Sequence, residues 1–72
     1  MSSKINLQDV FLEKVIEKRI EIMIFLTNGI KLRGNIKAFD SFTILMEDNE
    51  KQQLIFKHAI STLVSPERIE IK

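Results

Sequence analysis

Asn28-Gly29 is the feature that most restricts this chain, because it sits between two runs of alternating apolar residues. A two-residue turn of type I′ needs positive φ at both central positions, and Asn-Gly tolerates that best. Before it, Ile20, Ile22, Ile24 and Leu26 alternate with Glu21, Met23, Phe25 and Thr27, which predicts a strand over about 20–27 with one face in a core. A second strand then starts at Ile30. With Asn28-Gly29 as the turn centre, Thr27 faces Ile30 and Phe25 faces Leu32, so Phe25, Ile30 and Leu32 gather on one surface. Gly34 in mid-strand predicts a bend or bulge, as a small curved sheet requires.

Upstream of the hairpin, Asn6 is a good N-cap, with Asp9 where a capping-box acid would sit. Leu7, Phe11, Leu12, Val15 and Ile16 follow at helical spacing, which predicts a helix from about Leu7 to Lys18. Its charges do not stabilise it, since Glu13 with Glu17 and Lys14 with Lys18 are like-charged pairs four apart. The helix must therefore bury its apolar stripe on a sheet. Downstream, Phe39-Asp40-Ser41-Phe42 turns into a third strand over about Thr43 to Glu47, and Asp48-Asn49-Glu50-Lys51 forms a polar turn. A fourth strand covers about Gln52 to Lys57 and a fifth about Ser61 to Val64, with Lys57-His58 at the corner between them. Pro66 marks the expected end of order. One helix followed by five short antiparallel strands predicts a mainly β fold, a small, strongly bent, open barrel. The expected organisation is a single domain over 1–72, with 1–5 flexible, 6–66 ordered and 67–72 a short tail.

Seventy-two residues bury only about 60% of their unfolded surface. With no cysteine there is neither disulfide nor thiolate metal site, so assembly with further copies is the economical way to stabilise so small a core. The apolar edges Leu54-Ile55-Phe56 and Leu63-Val64 carry no proline and invite a partner strand. Pairing of strand four with strand five of the next copy is head-to-tail and gives a ring or a filament. No apolar run approaches the eighteen or so residues of a membrane span, and Met1-Ser2-Ser3-Lys4 leads into no apolar signal segment, so a cytoplasmic location without membrane contact is expected.

Eleven basic and ten acidic residues leave a net charge of +1, too small to declare a nucleic-acid binder. Distribution matters more. Lys31, Arg33 and Lys37 alternate along one strand and are expected to share a face, apart from Glu47, Asp48 and Glu50. A ring would repeat any such cluster into a circle of positive charge. Lys57 supplies three donors and His58 a titratable ring, equipment for an anion or a base edge. Taken singly, His58 reads more simply as a turn histidine and Phe42 as a core residue.

Four separated stretches agree in order and spacing with one family. Asn6-Leu7-Gln8-Asp9, Phe25 through Gly34, Phe39-Asp40-Ser41-Phe42 and Phe56-Lys57-His58-Ala59-Ile60-Ser61-Thr62 resemble the Hfq family of bacterial Sm-like RNA chaperones over about residues 5–66. The last stretch differs by one aromatic exchange from the family's tyrosine-lysine-histidine run. The resemblance implies an Sm-like fold, a homo-oligomeric ring of six and RNA as partner, with small regulatory RNAs and messages held on different faces. It implies a proximal site for uridine-rich RNA at Gln8, Ser41, Phe42, Phe56, Lys57 and His58. There Lys57 and Gln8 donate to uracil carbonyls and Phe42 stacks on the base. Ser41 replaces a glutamine of many relatives, and Phe56 lacks the tyrosine hydroxyl.

The resemblance further implies a distal site for adenine-rich RNA at Phe25, Leu26, Gly29, Ile30, Lys31, Leu32, Arg33, Gln53, Ser61 and Thr62. An outer rim falls at Ile16, Glu17, Lys18 and Arg19, where only Lys18 and Arg19 are basic and RNA annealing should be weak. Read without the family, the three apolar distal residues are equally barrel core. No cofactor or metal is expected. Asp40, His58 and Ser61 supply the residue types of a hydrolytic triad, but no nucleophile elbow or glycine-rich oxyanion loop accompanies them, so an enzyme is not expected. A ring serving purely as a structural or protein-binding scaffold is the competing class, separable by titration with oligo(U) and oligo(A).

Overall fold

The structure, a computed structural model, describes residues 6–49 and 51–71. The expectation of a flexible segment over 1–5, and Glu50 of the expected polar turn, lie outside the described residues. The chain runs α1 (Leu7–Lys18), β1 (Glu21–Leu26), β2 (Lys31–Phe39), β3 (Thr43–Asp48), β4 (Lys51–Phe56), a single 3₁₀ turn (Lys57–Ala59) and β5 (Ile60–Val64). The strands form one antiparallel sheet in the order β4-β3-β2-β1-β5, bent and not closed. Its two free edges are therefore β4 and β5, the pair whose apolar character marks them in the sequence.

The helix begins where the cap chemistry places it. The Asn6 side-chain oxygen accepts from the Asp9 N–H at 3.2 Å, satisfying one of the free donors of the first turn. The Asp9 carboxylate does not close a capping box; it bonds the Lys57 ammonium instead. At the other end Arg19 takes a left-handed conformation, φ 57° and ψ 43°, and its N–H donates to the Ile16 carbonyl at 3.1 Å. Leu12 and Val15 are fully buried against Ile20, just before β1, and against Ile22, Ile24, Ile36, Ile44, Met46 and Ile55 of the sheet, and these nine form the core among the described residues. Burial of this stripe supplies the helix with the stability its surface charges do not.

The β1–β2 hairpin differs from the expected one by a single residue of register. Ile24 opposes Leu32 and Phe25 opposes Lys31. The Leu26 N–H donates to the Ile30 carbonyl at 2.8 Å and the Gly29 N–H to the Leu26 carbonyl at 2.9 Å. The loop is thus three residues, Thr27-Asn28-Gly29, with positive φ needed only at Gly29 (φ 92°). The Asn28 side chain accepts from the Ile30 N–H at 3.0 Å, an Asx bond that favours this closure over the two-residue turn. One residue of slip moves every side chain across the sheet.

Two further devices bend the sheet. A Cβ at Gly34 would lie 2.7 Å from the Glu47 carbonyl oxygen and 3.0 Å from Met46 Cγ, so β3 crosses β2 at a distance only glycine permits. The bulge itself falls further along, between Ile36 and Ala38, with Lys37 the extra residue. Pro66 ends the sheet, and no helix or strand follows among the described residues. The chain beyond it does not leave the barrel, however, since Ile69 packs against the core. No helix of the described residues is long and apolar enough to cross a membrane.

Candidate nucleic-acid interface

Lys57 opens the 3₁₀ turn that follows β4, and its surroundings assemble from three parts of the chain. Its N–H donates to the Phe42 carbonyl at 2.8 Å, joining this corner to the loop before β3. Its ammonium donates to Asp9 Oδ1 of the first helical turn at 2.8 Å. The same nitrogen lies 5.1 Å from the Phe39 ring centroid, within cation–π range. The Lys57 side chain is only 12% exposed, so it is held in one place with donor capacity to spare. Gln8 is half-buried beside Asp9 in the same helical turn.

Phe42 is not a core residue. Its ring is 76% exposed at the tip of the 40–43 loop, with Ser41 exposed beside it. Asp40 Oδ1 accepts from the Phe42 N–H at 2.8 Å, the Thr43 N–H at 2.7 Å and the Thr43 hydroxyl at 2.8 Å. These bonds, the Phe42 N–H first, hold the Asp40 carboxyl below its ordinary value, helped by the positive charge of Lys57. Phe56 and His58 are both exposed and stack on each other, centroids 5.8 Å apart at 28°. The structure therefore brings Gln8, Ser41, Phe42, Phe56, Lys57 and His58 to the two linked loops and the helix start beside them. Sequence reasoning missed Asp9 and Phe39 as the neighbours that hold Lys57.

The second set is divided. Phe25, Lys31 and Thr62 form one row across β2-β1-β5, on the face away from the core, with the Lys31 ammonium 5.7 Å from the Phe25 centroid. Arg33 and Met23 form the next row. A register shift lets Ser61 and Thr62 both face outward, their hydroxyl oxygens 3.4 Å apart. Ile30 and Leu32 lie on the other face of the hairpin. With Leu26, Gln53, Leu54 and Phe56 they line an open, mainly apolar recess. The expected gathering of Phe25 with Ile30 and Leu32 within one chain is thus corrected by the slip in register. Gly29 is exposed at the hairpin tip between the two halves, and the Thr27 N–H ties that tip to Ala59 of the 3₁₀ turn at 2.8 Å.

The basic row is also shorter than expected. Lys37 sits on the bulge with its ammonium 3.4 Å from the Glu47 carboxylate, and Glu47 opposes Asn35 on β2. Acidic and basic groups therefore meet here, which leaves Lys31 and Arg33 as the row. At the helix end, Lys18 and Arg19 are exposed, whereas Ile16 packs against the core. A groove there is lined by Ile16, Glu17, Arg19, Asn35, Ile36 and Lys37.

Known proteins resemble this chain in sequence and in fold. Residues 7–70 match the family model described as Hfq protein. The chain belongs to the Hfq family. It is 55% identical over 62 residues to the RNA-binding protein Hfq of Oceanobacillus iheyensis, covering 86% of this chain and 84% of that one. The RNA-binding protein Hfq of Halalkalibacterium halodurans is 44% identical over all 72 residues, 92% of its own length. Among solved structures, a crystal structure of the pleiotropic translational regulator Hfq superposes with a TM-score of 0.81 at 35% identity, covering 90% of this chain and 98% of that one. An Hfq protein from Anabaena shares the fold, with a TM-score of 0.75 at 22% identity over 82% of this chain and 95% of its own.

Proposed function

We propose that this Hfq-family chain is an RNA-binding protein that works as a cytoplasmic ring of copies, six by family resemblance. Uridine-rich RNA is held at the Lys57–Phe42 loops and adenine-rich RNA on the opposite face, so that small regulatory RNAs and messages meet on one particle. The observation that carries this reading is the bond from the Lys57 N–H to the Phe42 carbonyl, 2.8 Å, which fixes a donor-rich corner beside an exposed aromatic ring. A base needs both, a stacking face and donors to its carbonyl edge. Around a ring the pair recurs once per copy, and a strand with several bases engaged binds far more tightly than one contact allows. No catalytic step belongs to this reading.

For the second face, the Phe25–Lys31 row offers an aromatic ring with a cation, and the Ile30–Leu32–Gln53 recess offers an apolar slot with an amide. In a ring the recess of one copy adjoins the row of the next, which is how a site divided within one chain becomes whole. Arg33 adds charge for phosphate. Glu17, and Lys37 in its pair with Glu47, leave the rim weakly basic, so annealing of two RNAs is slow and lost at moderate salt.

The deciding experiment is a titration of oligo(U) and oligo(A) with the wild type, Lys57→Ala and Phe25→Ala. Lys57→Ala should weaken oligo(U) about tenfold or more with little change for oligo(A), and Phe25→Ala should do the reverse. Equal losses for both RNAs would refute the two-face assignment, and indifference of the wild type to both would make the ring a scaffold.

A further inference from the structure

The loop that carries Phe42 is fastened more firmly than its exposure requires. A single oxygen, Asp40 Oδ1, accepts from the Phe42 N–H, the Thr43 N–H and the Thr43 hydroxyl at 2.7–2.8 Å. The Asp40 N–H closes the same loop by donating to the Thr43 carbonyl at 2.9 Å, and the Phe42 carbonyl accepts from the Lys57 N–H at 2.8 Å. Both backbone polar groups of Phe42 are thus engaged while its ring stands in solvent. The Asp40 side chain is itself exposed and contributes nothing to the nine-residue core. An exposed ring on an unfastened four-residue loop would sample many orientations, and binding would have to order it. With the loop fastened, that ordering is complete before RNA arrives.

We infer that Asp40 is a positioning residue for RNA recognition: its carboxylate fixes the 40–43 loop so that Phe42 is held ready to stack on a base next to Lys57. The inference rests on the reading of Phe42 and Lys57 as the uridine-rich site. Asp40 itself does not touch RNA, and as an anion facing a polyanion it would, without this role, only weaken binding. Thr43 shares the task, since its hydroxyl turns toward Asp40 rather than toward solvent. Asparagine at position 40 retains an oxygen for the same donors, whereas alanine retains none.

The experiment uses the full chain and labelled oligo(U) and oligo(A), with wild type, Asp40→Ala, Asp40→Asn, Thr43→Val, Phe42→Ala and the Asp40→Ala/Phe42→Ala double variant. Secondary structure and assembly are followed by circular dichroism and native mass. Asp40→Ala is expected to weaken oligo(U) about tenfold with oligo(A) within about twofold, Asp40→Asn to restore most of the loss, and Thr43→Val to lose about twofold to threefold. The double variant should be no weaker than Phe42→Ala alone, because a positioning residue has nothing to position once the ring is gone. Wild-type affinity for oligo(U) in Asp40→Ala, equal losses for both RNAs, or fully additive losses in the double variant would overturn the inference. If Asp40→Ala fails to assemble, Asp40→Asn and Thr43→Val decide: oligo(U) binding unchanged by Thr43→Val, or no better in Asp40→Asn than in Phe42→Ala, overturns it. Absence of oligo(U) binding by the wild type is a different result and would overturn the uridine-rich site together with the role built on it.

Discussion

A lysine ammonium bonded to a carboxylate and resting on a ring is rarely a spare surface charge, and Lys57 has both neighbours, Asp9 at 2.8 Å and Phe39 at 5.1 Å. The sequence singles out Lys57, His58 and Phe42 chiefly through the runs that resemble the family, since His58 by itself reads as a turn histidine and Phe42 as a core residue. It does not make Asp9 legible as the partner of Lys57, since the two are 48 positions apart and only the fold joins them. The nearby Asp40 gives a pH prediction with a definite sign. Its carboxyl lies below the ordinary 3.8 because the Phe42 N–H, the Thr43 hydroxyl and the Thr43 N–H favour the ionised form. A lowered folded value stabilises the fold above the unfolded value and ceases to do so as pH falls through the folded one. The stability advantage of the wild type over Asp40→Asn should therefore be constant near neutral pH and shrink below about pH 4. Denaturant unfolding of both proteins across that range checks it, and an advantage that grows with acid would reverse the assignment.

Among the elements, α1 is the most legible, since the Asn6 cap and the apolar spacing predict a helix from Leu7 to Lys18 and those are its bounds. The β1–β2 hairpin was legible as a hairpin but not in register. Asn28-Gly29 fits a two-residue turn by local chemistry, yet the Asn28 side chain bonds the Ile30 N–H and the loop closes around three residues. That one residue decides that Phe25 faces away from Ile30 and Leu32, and no local pattern carries it. Two glycine substitutions separate the causes of the sheet's shape. At Gly29, φ 92° with open space around the missing Cβ, alanine should cost about 1 kcal/mol through backbone strain alone. At Gly34 the φ is ordinary and the space is not, with a backbone oxygen 2.7 Å from the would-be Cβ. Gly34→Ala should therefore cost more, roughly 1–3 kcal/mol, and should widen the β2–β3 crossing. Denaturant midpoints at one fixed protein concentration measure both, and equal losses would mean that close approach is not what Gly34 provides.

At the scale of the molecule, the open edges set the limits. Leu54 is 61%, Phe56 53% and Val64 38% exposed, all on or next to the β4 and β5 edges, while nine of the described residues form the buried core. A core of that size in a chain with no disulfide is marginal by itself, and apolar edge strands favour whatever covers them. Assembly through β4 and β5 would meet both needs at once, and it would also bring the recess at Ile30 and Leu32 of one copy toward the Phe25 row of another. Stability and RNA affinity should then fail together. Leu54→Lys places an unpartnered charge at the β4 edge, in the lining of the Ile30–Leu32 recess but on neither Phe42 nor Lys57, so its effect on oligo(U) is the one that reports assembly. It is expected to shift native mass toward smaller species, to make the melting temperature strongly dependent on protein concentration, and to weaken both oligo(U) and oligo(A) by about tenfold or more. A Leu54→Lys protein that stays fully assembled, or one that is monomeric yet binds both RNAs as tightly as the wild type, would show that the edges do not make the RNA sites. The second outcome would also mean that the divided distal set functions within a single chain, against the register that separates Phe25 from Leu32.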